Sequence, residues 1–256
     1  VNGDGFADVI VGDIYSSYVL FGRDSGFGAT FDPSALDGSN GFGLNVLNQS
    51  VSNAGDINGD GFDDVIVGAR WTNLNSPDIG ASFVIFGKAS GFDAQVDLSN
   101  LNGSNGFRLD QAETRSYSGV SVSGAGDING DGFADLIVGD SKAGSTSHQT
   151  GSSYIVFGKA SGFDAQLDLS GLNGSNGFRL DGAALYDYSG FSVSNAGDVN
   201  GDGFDDVIVG SPYADFNGDQ SGSSYVIFGK ASGFDALLDL SSLNGSNGFR
   251  LDGEQI

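Results

Sequence analysis

Short apolar runs separated by glycine, asparagine and aspartate dominate the pattern of this chain. In one repeat they are Gly190–Gly197, Asp205–Gly210, Ser223–Gly229 and the weaker Gly248–Gly253. The first run alternates polar and apolar residues. The second and third are continuous and rich in β-branched and aromatic side chains, which is typical of strands covered on both faces. The pattern predicts four short antiparallel strands per repeat.

One segment returns along the chain at nearly constant spacing. GDINGDGFDDVIVG at Gly55–Gly68 recurs in nearly identical form at Gly126–Gly139 and Gly197–Gly210, 71 residues apart each time. A fourth copy, lacking its leading Gly and Asp, opens the chain 56 residues before the next. The 15 missing residues fall in two loops, nine in one and six in the other. Loops that shorten while strands persist indicate a fixed scaffold with approximate units 1–55, 56–126, 127–197 and 198–256.

Four strands per repeat favour a β-propeller, because its blades are four-stranded antiparallel sheets that stack against one another. The expected fold is all-β, a single array of about four blades of which the first is incomplete. We also expect the array to be a segment of a longer protein or of an assembly. A β-sandwich is the alternative architecture, although a sandwich does not require so regular a repeat.

Each recurring segment contains a nine-residue loop of the form Asp-x-Asn-Gly-Asp-Gly-Phe-x-Asp. In the copy at 56–64, side-chain oxygens stand at positions 1, 3, 5 and 9, and the main-chain carbonyl of Phe62 at position 7 would supply a fifth ligand. Oxygens at odd positions, with Gly61 permitting a sharp turn, are the pattern by which a loop wraps Ca²⁺. Mg²⁺ is less suited because it prefers a rigid octahedron. An EF-hand is excluded because Val67 stands where it requires glutamate.

We expect one Ca²⁺ ion in each loop, giving three complete sites and one truncated site. The first copy lacks its position-1 ligand, so its site should be weaker or empty. A plain hairpin turn is the alternative for any single loop, but four copies with Asp or Asn at every ligand position present favour a metal. The predicted ligands are Asn2, Asp4, Phe6, Asp8, Asp56, Asn58, Asp60, Phe62, Asp64, Asp127, Asn129, Asp131, Phe133, Asp135, Asp198, Asn200, Asp202, Phe204 and Asp206.

Charge and composition narrow the function classes. The chain has 33 Asp and Glu against 10 Lys and Arg, a formal net charge of −23, so nucleic acid and anionic membrane surfaces are unsuitable partners. The absence of Cys excludes disulfides and thiolate metal sites. No apolar run approaches the roughly 20 residues of a spanning helix, so membrane insertion is not expected. No catalytic constellation or phosphate-binding loop is visible, and we do not expect an enzyme.

These features resemble the FG-GAP repeats of integrin α-subunit propellers and their bacterial relatives. The most specific element is the aspartate loop followed by Val-Ile-Val-Gly. The Gly-Ala-Pro element appears at 210–212, with looser versions at 68–70 and 139–141, and the Phe-Gly element is reduced to Ser-Gly at 118–119 and 189–190. The resemblance implies calcium loops joining the first two strands of each blade on one face, and ligands docking on the opposite face. The seven blades of the family do not transfer, because this chain supplies fewer than four full units.

Three loops have equal lengths but unrelated sequences, namely Ala69–Ile79, Asp140–Thr150 and Ser211–Ser221. Loops that vary on a constant scaffold are candidate contact surfaces, with Trp71 and Tyr213 as candidate contact aromatics and unconstrained drift as the alternative. The calcium loop enters the second strand at one end and the variable loop leaves from the other. We therefore expect the three variable loops together on the face opposite the metals.

Two polar features carry no predicted role. His148, the single histidine, is expected to be solvated. Asp215, Asn217 and Asp219 imitate the start of a calcium loop, but Gln220 stands where the loop needs glycine, which indicates an ordinary turn.

The expected function is a calcium-binding scaffold or adhesion module, secreted and extracellular or at the cell surface, whose variable loops contact a protein or glycan. A structural protomer of a surface layer or fibre and an accessory propeller of a secreted hydrolase are the alternatives. The equivalent of Gly190–Gly197 is missing before the strand at Ala7–Gly12. We expect the continuing chain or a neighbouring copy to complete this first blade.

Overall fold

The computed structural model describes residues 1–13, 15–46, 50–69, 80–110, 118–145, 148–160 and 162–254. Four single-turn 3₁₀ helices occur there, at Pro33–Ala35, Leu98–Asn100, Leu169–Gly171 and Leu240–Ser242. All other elements in these ranges are strands: β1 Val9–Gly12, β2 Ser17–Leu20, β3 Gly41–Leu44, β4 Ser50–Gly55, β5 Asp64–Ala69, β6 Ala81–Ile85, β7 Gln95–Val96, β8 Gly106–Asp110, β9 Ser118–Gly126, β10 Asp135–Asp140, β11 Gly144–Ser145, β12 His148–Gln149, β13 Ser152–Val156, β14 Gln166–Asp168, β15 Gly177–Asp181, β16 Ser192–Gly197, β17 Asp206–Ser211, β18 Ser223–Ile227, β19 Leu237–Asp239 and β20 Gly248–Asp252.

The described strands form four larger sheets and one two-stranded ribbon of β11 and β12. The larger sheets have the orders β1-β2-β3-β7, β4-β5-β6-β8-β14, β9-β10-β13-β15-β19 and β16-β17-β18-β20. Neighbours are antiparallel except that β7, β14 and β19 run parallel to the strand they join. The all-β prediction of consecutive four-stranded propeller blades is confirmed, and the described sheets form an open, partial propeller.

Strand boundaries lie close to those read from the apolar runs. β17 at Asp206–Ser211 is shifted by one residue from the predicted strand, and β16 begins at Ser192 rather than Gly190. The two central strands of the second blade, β5 and β6, are buried along their whole length. Burial on both faces accounts for their continuous apolar sequences.

The core lies between adjacent blades rather than within any one of them. Consecutive residues of β5 show this directly, since Val65 packs with Val19 and Phe42 of the first blade while Ile66 packs with Leu136 of the third. A comparable cluster joins the third and fourth blades. Each blade therefore depends on its neighbours for burial, as is typical of repeat folds.

In each of the three complete blades, the first strand ends at a glycine and the aspartate loop begins directly after it. Gly55, Gly126 and Gly197 lie in the left-handed region with φ of 67°, 71° and 67°. At these glycines the ladder with the second strand shifts register. The shift releases the chain from the sheet, so that the nine-residue loop joins the first and second strands at one end of the blade.

The parallel strands β7, β14 and β19 were not predicted from the sequence. Each belongs to one repeat but pairs with the outer strand of the preceding blade, so that Gln95–Val96 of the second repeat joins β3 of the first. Main-chain hydrogen bonds therefore hold adjacent blades together, in addition to side-chain packing.

The first blade has an open inner edge in the described part of the chain. There β1 pairs with β2 alone, whereas its counterparts β5, β10 and β17 each pair with a strand on both sides. In the fourth blade the corresponding edge is paired with β16, which lies within Gly190–Gly197. No equivalent of that strand is described beside β1. This agrees with the expectation of an incomplete first blade, and what completes it remains a prediction.

Candidate functional site

Side chains and main chain of each aspartate loop hold one another in a tight turn. In the loop 56–64, the position-1 carboxylate of Asp56 accepts the main-chain N–H groups of Asp60 and Gly61 at 3.0 and 2.8 Å. Asn58 Oδ1 accepts the N–H of Asp60 at 2.9 Å, and Asp60 Oδ1 accepts that of Phe62 at 2.9 Å. The same bonds recur in the loops 127–135 and 198–206. The predicted ligand positions of each complete loop thus face into a single turn.

The aspartate at position 9 is buried and links the loop to a distant strand. Asp64 is fully buried, and its oxygens accept the N–H of Ile57 at 3.1 Å and of Gly87 at 2.7 Å. Gly87 follows the third strand of the blade, so this carboxylate ties the loop to the β5–β6 hairpin.

Sequence reasoning assigned no role to this glycine, although its spacing is regular. The donor lies 23 residues after the aspartate in the three complete blades, as Gly87, Gly158 and Gly229. In the first blade Gly22 donates to Asp8 from 14 residues away, which reproduces the nine-residue deletion in the intervening loop. A glycine that recurs 23 residues after each position-9 aspartate could have identified this contact from the sequence.

Burial and neighbouring charge disfavour ionisation of these aspartates. Desolvation, with smaller contributions from the carboxylates of Asp60 and Asp56, raises the pKa of Asp64 to about 7, although the N–H groups of Gly87 and Ile57 lower it. The pKa of Asp135 is raised to about 7 for the same reasons, and burial also raises the pKa of Asp206. Within the described ranges, none of these three carboxylates forms a salt bridge. Buried negative charge without a basic partner is a setting that a bound cation relieves.

The donor set fits a hard divalent cation by its chemistry. Each complete loop offers three carboxylates, one carboxamide and one main-chain carbonyl, and Ca²⁺ takes such oxygens in flexible arrangements. The described residues contain no group of three or more Asp, Glu, His or Cys side chains already arranged to hold a metal. The carboxylates instead accept main-chain N–H groups of their own loop.

The truncated first loop keeps part of this arrangement. Asp4 accepts the N–H of Phe6 at 2.9 Å, and Asn2 Oδ1 accepts that of Asp4 at 3.2 Å. The N–H of Phe6 and the side-chain amide of Asn2 both donate to the exposed Asp4 carboxylate and lower its pKa. Asp8 accepts the N–H of Asn2 and the terminal amine of Val1.

Adjacent loops contact one another through the phenylalanine at position 7. The rings of Phe62, Phe133 and Phe204 lie against Gly3, Gly59 and Gly130 of the preceding loops, leaving no room for a Cβ at those glycines. Phe6 has no preceding loop in this chain and is exposed. The loops therefore form a connected row along one end of the blades.

The described variable loops lie at the opposite end of the second strands. β17 leaves the aspartate loop at Asp206 and delivers the chain into the loop Ser211–Ser221 at its other end. Residues from this loop and from Asp140–Thr150 line one cleft, so two of the three variable loops come together. Residues 70–79, including Trp71, lie outside the described residues, as does the side chain of His148.

This cleft, of about 530 Å³, is rich in aromatic and charged groups. Tyr186, Tyr188, Phe191 and Tyr213 contribute rings, and the rings of Tyr188 and Tyr213 meet edge to face at 5.3 Å. Tyr186 and Tyr188 adopt left-handed φ of 67° and 53°, which costs about 1–3 kcal/mol for each non-glycine residue. Strained residues tend to cluster at functional sites, so the cleft is the strongest candidate contact surface. Sequence reasoning found only Tyr213 there, because the segment 182–191 diverges from its repeat counterpart at 111–120, where Arg115 and Val120 stand in place of Tyr186 and Phe191.

One buried carboxylate lies near the cleft. Asp187 is only 2% exposed, and within the described part of the chain its Oδ2 has no hydrogen-bond partner. Burial raises the pKa of Asp187, and the charge of Asp215 raises it further.

The imitation loop at Asp215 adopts only part of the calcium-loop geometry. Gln220 has a left-handed φ of 53° and donates its N–H to Asp215, as the glycine at this position does in the true loops. Position 9 is Ser223, whose hydroxyl donates to Asp252. The loop therefore lacks the buried carboxylate of a complete site.

Comparison with known proteins identifies the repeat. The FG-GAP repeat family matches residues 48–85, 118–156 and 189–227. Integrin alpha-PS5 of Drosophila melanogaster is 33% identical over 184 residues, covering 68% of this chain and 15% of that protein. Integrin alpha pat-2 of Caenorhabditis elegans is 30% identical over 217 residues, covering 78% and 15%.

A relative of a different kind also matches. Phosphatidylinositol-glycan-specific phospholipase D of Bos taurus is 32% identical over 172 residues, covering 65% of this chain and 19% of that protein. The chain thus spans less than a fifth of these relatives. No helix in the described ranges has the length and apolar character needed to cross a membrane.

Proposed function

The chain is an FG-GAP repeat protein of the integrin α-like kind, and we propose that it is a calcium-stabilised adhesion module located outside the cell. In this proposal the aspartate loops bind Ca²⁺ at one end of the blades. The aromatic cleft and variable loops at the other end contact a protein or glycan. The observation that carries it is the threefold recurrence of one hydrogen-bonded loop, each copy with a buried aspartate and without a basic partner.

Calcium would act on the fold through residues that already link the elements. Asp64, Asp135 and Asp206 connect each loop to the glycine after the third strand. A cation among the loop carboxylates would offset their mutual repulsion and stabilise this link. Extracellular calcium modules bind at about 10⁻⁴–10⁻³ M, so the folded state would gain stability at millimolar Ca²⁺.

Isothermal titration of EGTA-treated protein with CaCl₂ tests this part. We expect three sites of similar affinity and a weaker contribution from the truncated loop. Asp131→Ala should remove one of the three sites and leave the loop 56–64 largely intact. Asp219→Ala, in the imitation loop, is the matched control and should change nothing. Heats indistinguishable from dilution, or equal losses in both variants, would reject calcium binding by these loops.

The contact surface is proposed from the cleft between the two described variable loops. Exposed tyrosines offer large, rigid contact area, and Asp215 and Asp219 offer acceptors for hydroxyl or basic groups. The probes are printed glycan and extracellular-protein arrays screened with labelled protein in calcium. We expect Tyr186→Ser/Tyr213→Ser to abolish a signal that Tyr15→Ser, a control on the first blade, retains. Binding that is unchanged in the cleft variant would contradict the assignment.

An accessory role beside a catalytic domain is the second candidate. Its support is the similarity to phosphatidylinositol-glycan-specific phospholipase D, which shows that related sequence occurs within an enzyme. The gene sequence on both sides of this segment separates the two proposals. A hydrolase domain in the same reading frame would favour the accessory role, and a cell-surface anchor or further repeats would favour the adhesion module.

A further inference from the structure

Each of the three complete repeats carries an Asn-Gly-Ser triplet in the turn that precedes its outer strand. The triplets lie at 102–104, 173–175 and 244–246. Asparagine followed by any residue except proline, and then by serine or threonine, is the sequence at which N-linked sugars are attached to proteins. The triplets are separate from the aspartate loops, and neither calcium binding nor the cleft gives them a role.

The structure holds each triplet in the same exposed turn. Asn102 Oδ1 accepts the N–H of Ser104 at 3.0 Å and the hydroxyl of Ser104 at 2.7 Å. The corresponding distances are 3.0 and 2.6 Å at 173–175, and 2.9 and 2.6 Å at 244–246. The asparagine and the serine of every triplet are exposed. Each blade therefore presents the acceptor asparagine in one fixed geometry.

Two of the triplets are exposed although the following blade is packed against them. The next repeat covers their central glycines, since a Cβ at Gly103 or Gly174 would lie 2.0 or 2.1 Å from a Phe carbonyl oxygen of that repeat. Asn102 and Asn173, one residue earlier, nevertheless remain exposed. A sugar attached to either asparagine would therefore extend into solvent without separating the blades.

The side-chain amide of the triplet asparagine is the group that would react, and in the described part of the chain it has no hydrogen-bond acceptor. Ser104 engages only the Oδ1 of Asn102 and leaves Nδ2 available. Neighbouring Asn105, which is followed by Gly-Phe, donates its Nδ2 to the Asn100 carbonyl at 3.2 Å. Asn58 of the aspartate loop donates its Nδ2 to an Asp60 oxygen at 2.9 Å. The triplet thus differs from the other Asn-Gly pairs of its repeat in the availability of its amide as well as in sequence.

We propose that Asn102, Asn173 and Asn244 are N-glycosylation sites. In the reaction, Nδ2 forms a bond to the anomeric carbon of a sugar that is activated by linkage to a phosphate-bearing carrier. The bond from that carbon to the phosphate oxygen breaks, the carrier leaves with the electron pair, and the transferase takes one amide proton. No oxidant or reductant is required. The inference rests on the extracellular location in the proposed function, and on neither calcium binding nor the cleft.

The fold places the acceptors at the aspartate-loop end of the blades. In the second blade, β8 begins directly after the triplet at Gly106, opposite Ile85 at the end of β6. Asp60 of the aspartate loop and Ser104 of the triplet line one groove. Attached sugars would therefore surround this end of the blades. The opposite end, with the variable loops and the cleft, would stay open to a partner.

The first repeat offers a natural comparison. Asp37 stands at the acceptor position and keeps the same turn, because it accepts the N–H of Ser39 at 2.9 Å and its hydroxyl at 2.7 Å. A carboxylate has no amide nitrogen to bond a sugar, so no glycan is expected in this turn. Asp37→Asn completes the triplet and should add one glycan. A further triplet at 48–50 includes residues outside the described ranges and forms no part of the proposal.

Glycopeptide mass spectrometry of the protein purified from its native source tests the proposal directly. Peptide-N-glycosidase F in heavy-oxygen water converts each glycosylated asparagine into labelled aspartate, and a sample without the enzyme corrects for spontaneous deamidation. We expect label at Asn102, Asn173 and Asn244, and none at Asn58 or Asn105. Three unmodified asparagines would overturn the proposal. The calcium titration and the array screen test the adhesion role independently, so the two failures are distinguishable.

Variants of the chain, secreted from insect cells behind a signal peptide, separate the triplet from the turn. Ser104→Ala should remove the sugar at Asn102 alone, and Ser104→Thr should keep it. Ser99→Ala is the matched control, because Ser99 donates the same N–H and hydroxyl bonds to Asp97, at 2.9 and 2.7 Å, outside any triplet. This control should retain all three glycans. A glycan that persists at Asn102 in Ser104→Ala, or is lost equally in Ser99→Ala, would overturn the assignment.

Discussion

The ring of Phe133 lies directly over Gly59 of the preceding aspartate loop, so that a Cβ built at Gly59 would lie 2.3 Å from Phe133 Cε1. One residue is thus at position 7 of its own loop and supports position 4 of the neighbouring loop. The carbonyl of Phe133 is a predicted calcium ligand, whereas its side chain serves the adjacent blade. Loop conformation and blade packing are therefore coupled.

Truncation of this ring should destabilise the array. We predict that Phe133→Ala lowers the free energy of unfolding by about 2 kcal/mol, because a half-buried Phe loses its apolar contacts. Phe6→Ala removes the same residue type where it is 47% exposed, and should cost less than about 0.5 kcal/mol. Urea denaturation followed by circular dichroism measures both, and equal effects would show that the ring–glycine contact does not matter.

The glycine that donates to the position-9 aspartate should tolerate no side chain. A Cβ at Gly158 would lie 2.3 Å from the Ala134 carbonyl oxygen, so Gly158→Ala should cost about 1–3 kcal/mol through overpacking. Gly171→Ala is the control, since nothing lies within 4 Å of its Cβ position. Gly171→Ala should leave the free energy of unfolding unchanged or raise it by up to about 1 kcal/mol, because alanine reduces the conformational entropy of the unfolded chain. Denaturant midpoints that move equally would contradict this prediction.

Asp205 should strengthen calcium binding in the neighbouring loop. Its Oδ2 accepts the N–H of Asp127, the position-1 residue of the loop 127–135, at 2.8 Å. We predict that Asp205→Asn weakens calcium binding there by about two- to fivefold, because one nearby negative charge is removed. Asp63→Asn, at the same loop position two blades earlier, serves as the control, because the loop that precedes it has no position-1 aspartate in the sequence given. Calorimetry that gives the same affinities for both variants would exclude the effect.

Asp187 should make stability depend on pH. Because burial raises its folded-state pKa above the unfolded value, the folded state is favoured at low pH and this contribution is lost as pH rises through the folded-state pKa. Asp187→Asn removes the cost of the buried charge while keeping the shape. We therefore predict that the variant gains stability relative to wild type on going from pH 4 to pH 8, at constant Ca²⁺. If the melting temperatures of Asp187→Asn and the wild type differ by the same amount at every pH, this prediction is wrong.

The strands and loops could be predicted because each depends on local sequence repeated several times. Val65 and Ile66 lie in a continuous apolar run because they face different neighbouring blades, and the run shows this before any coordinates exist. The aspartate loops were found from side-chain spacing and glycine positions alone.

Features that depend on contacts between repeats were missed. β7 consists only of Gln95 and Val96, too short for a periodic pattern, and its partner lies in another blade. Phe92, Phe163 and Phe234 recur at one position, but recurrence does not reveal which ring each contacts. The cleft at Tyr186 and Tyr188 arises from a segment that diverges between repeats, since Tyr117 matches Tyr188 but Arg115 stands at the position of Tyr186. Comparison of the repeats does not show that this segment meets the variable loops in space.

Thermal unfolding with and without calcium tests the central claim most directly. The melting temperature should be measured by differential scanning calorimetry in EGTA and in increasing Ca²⁺, with Mg²⁺ at the same concentrations as the control. Because the loop carboxylates lie close together and the position-9 aspartates are buried, we predict a melting temperature that rises steadily through the millimolar range with Ca²⁺ and much less with Mg²⁺. A melting temperature that is the same in EGTA and in millimolar Ca²⁺ would contradict the account.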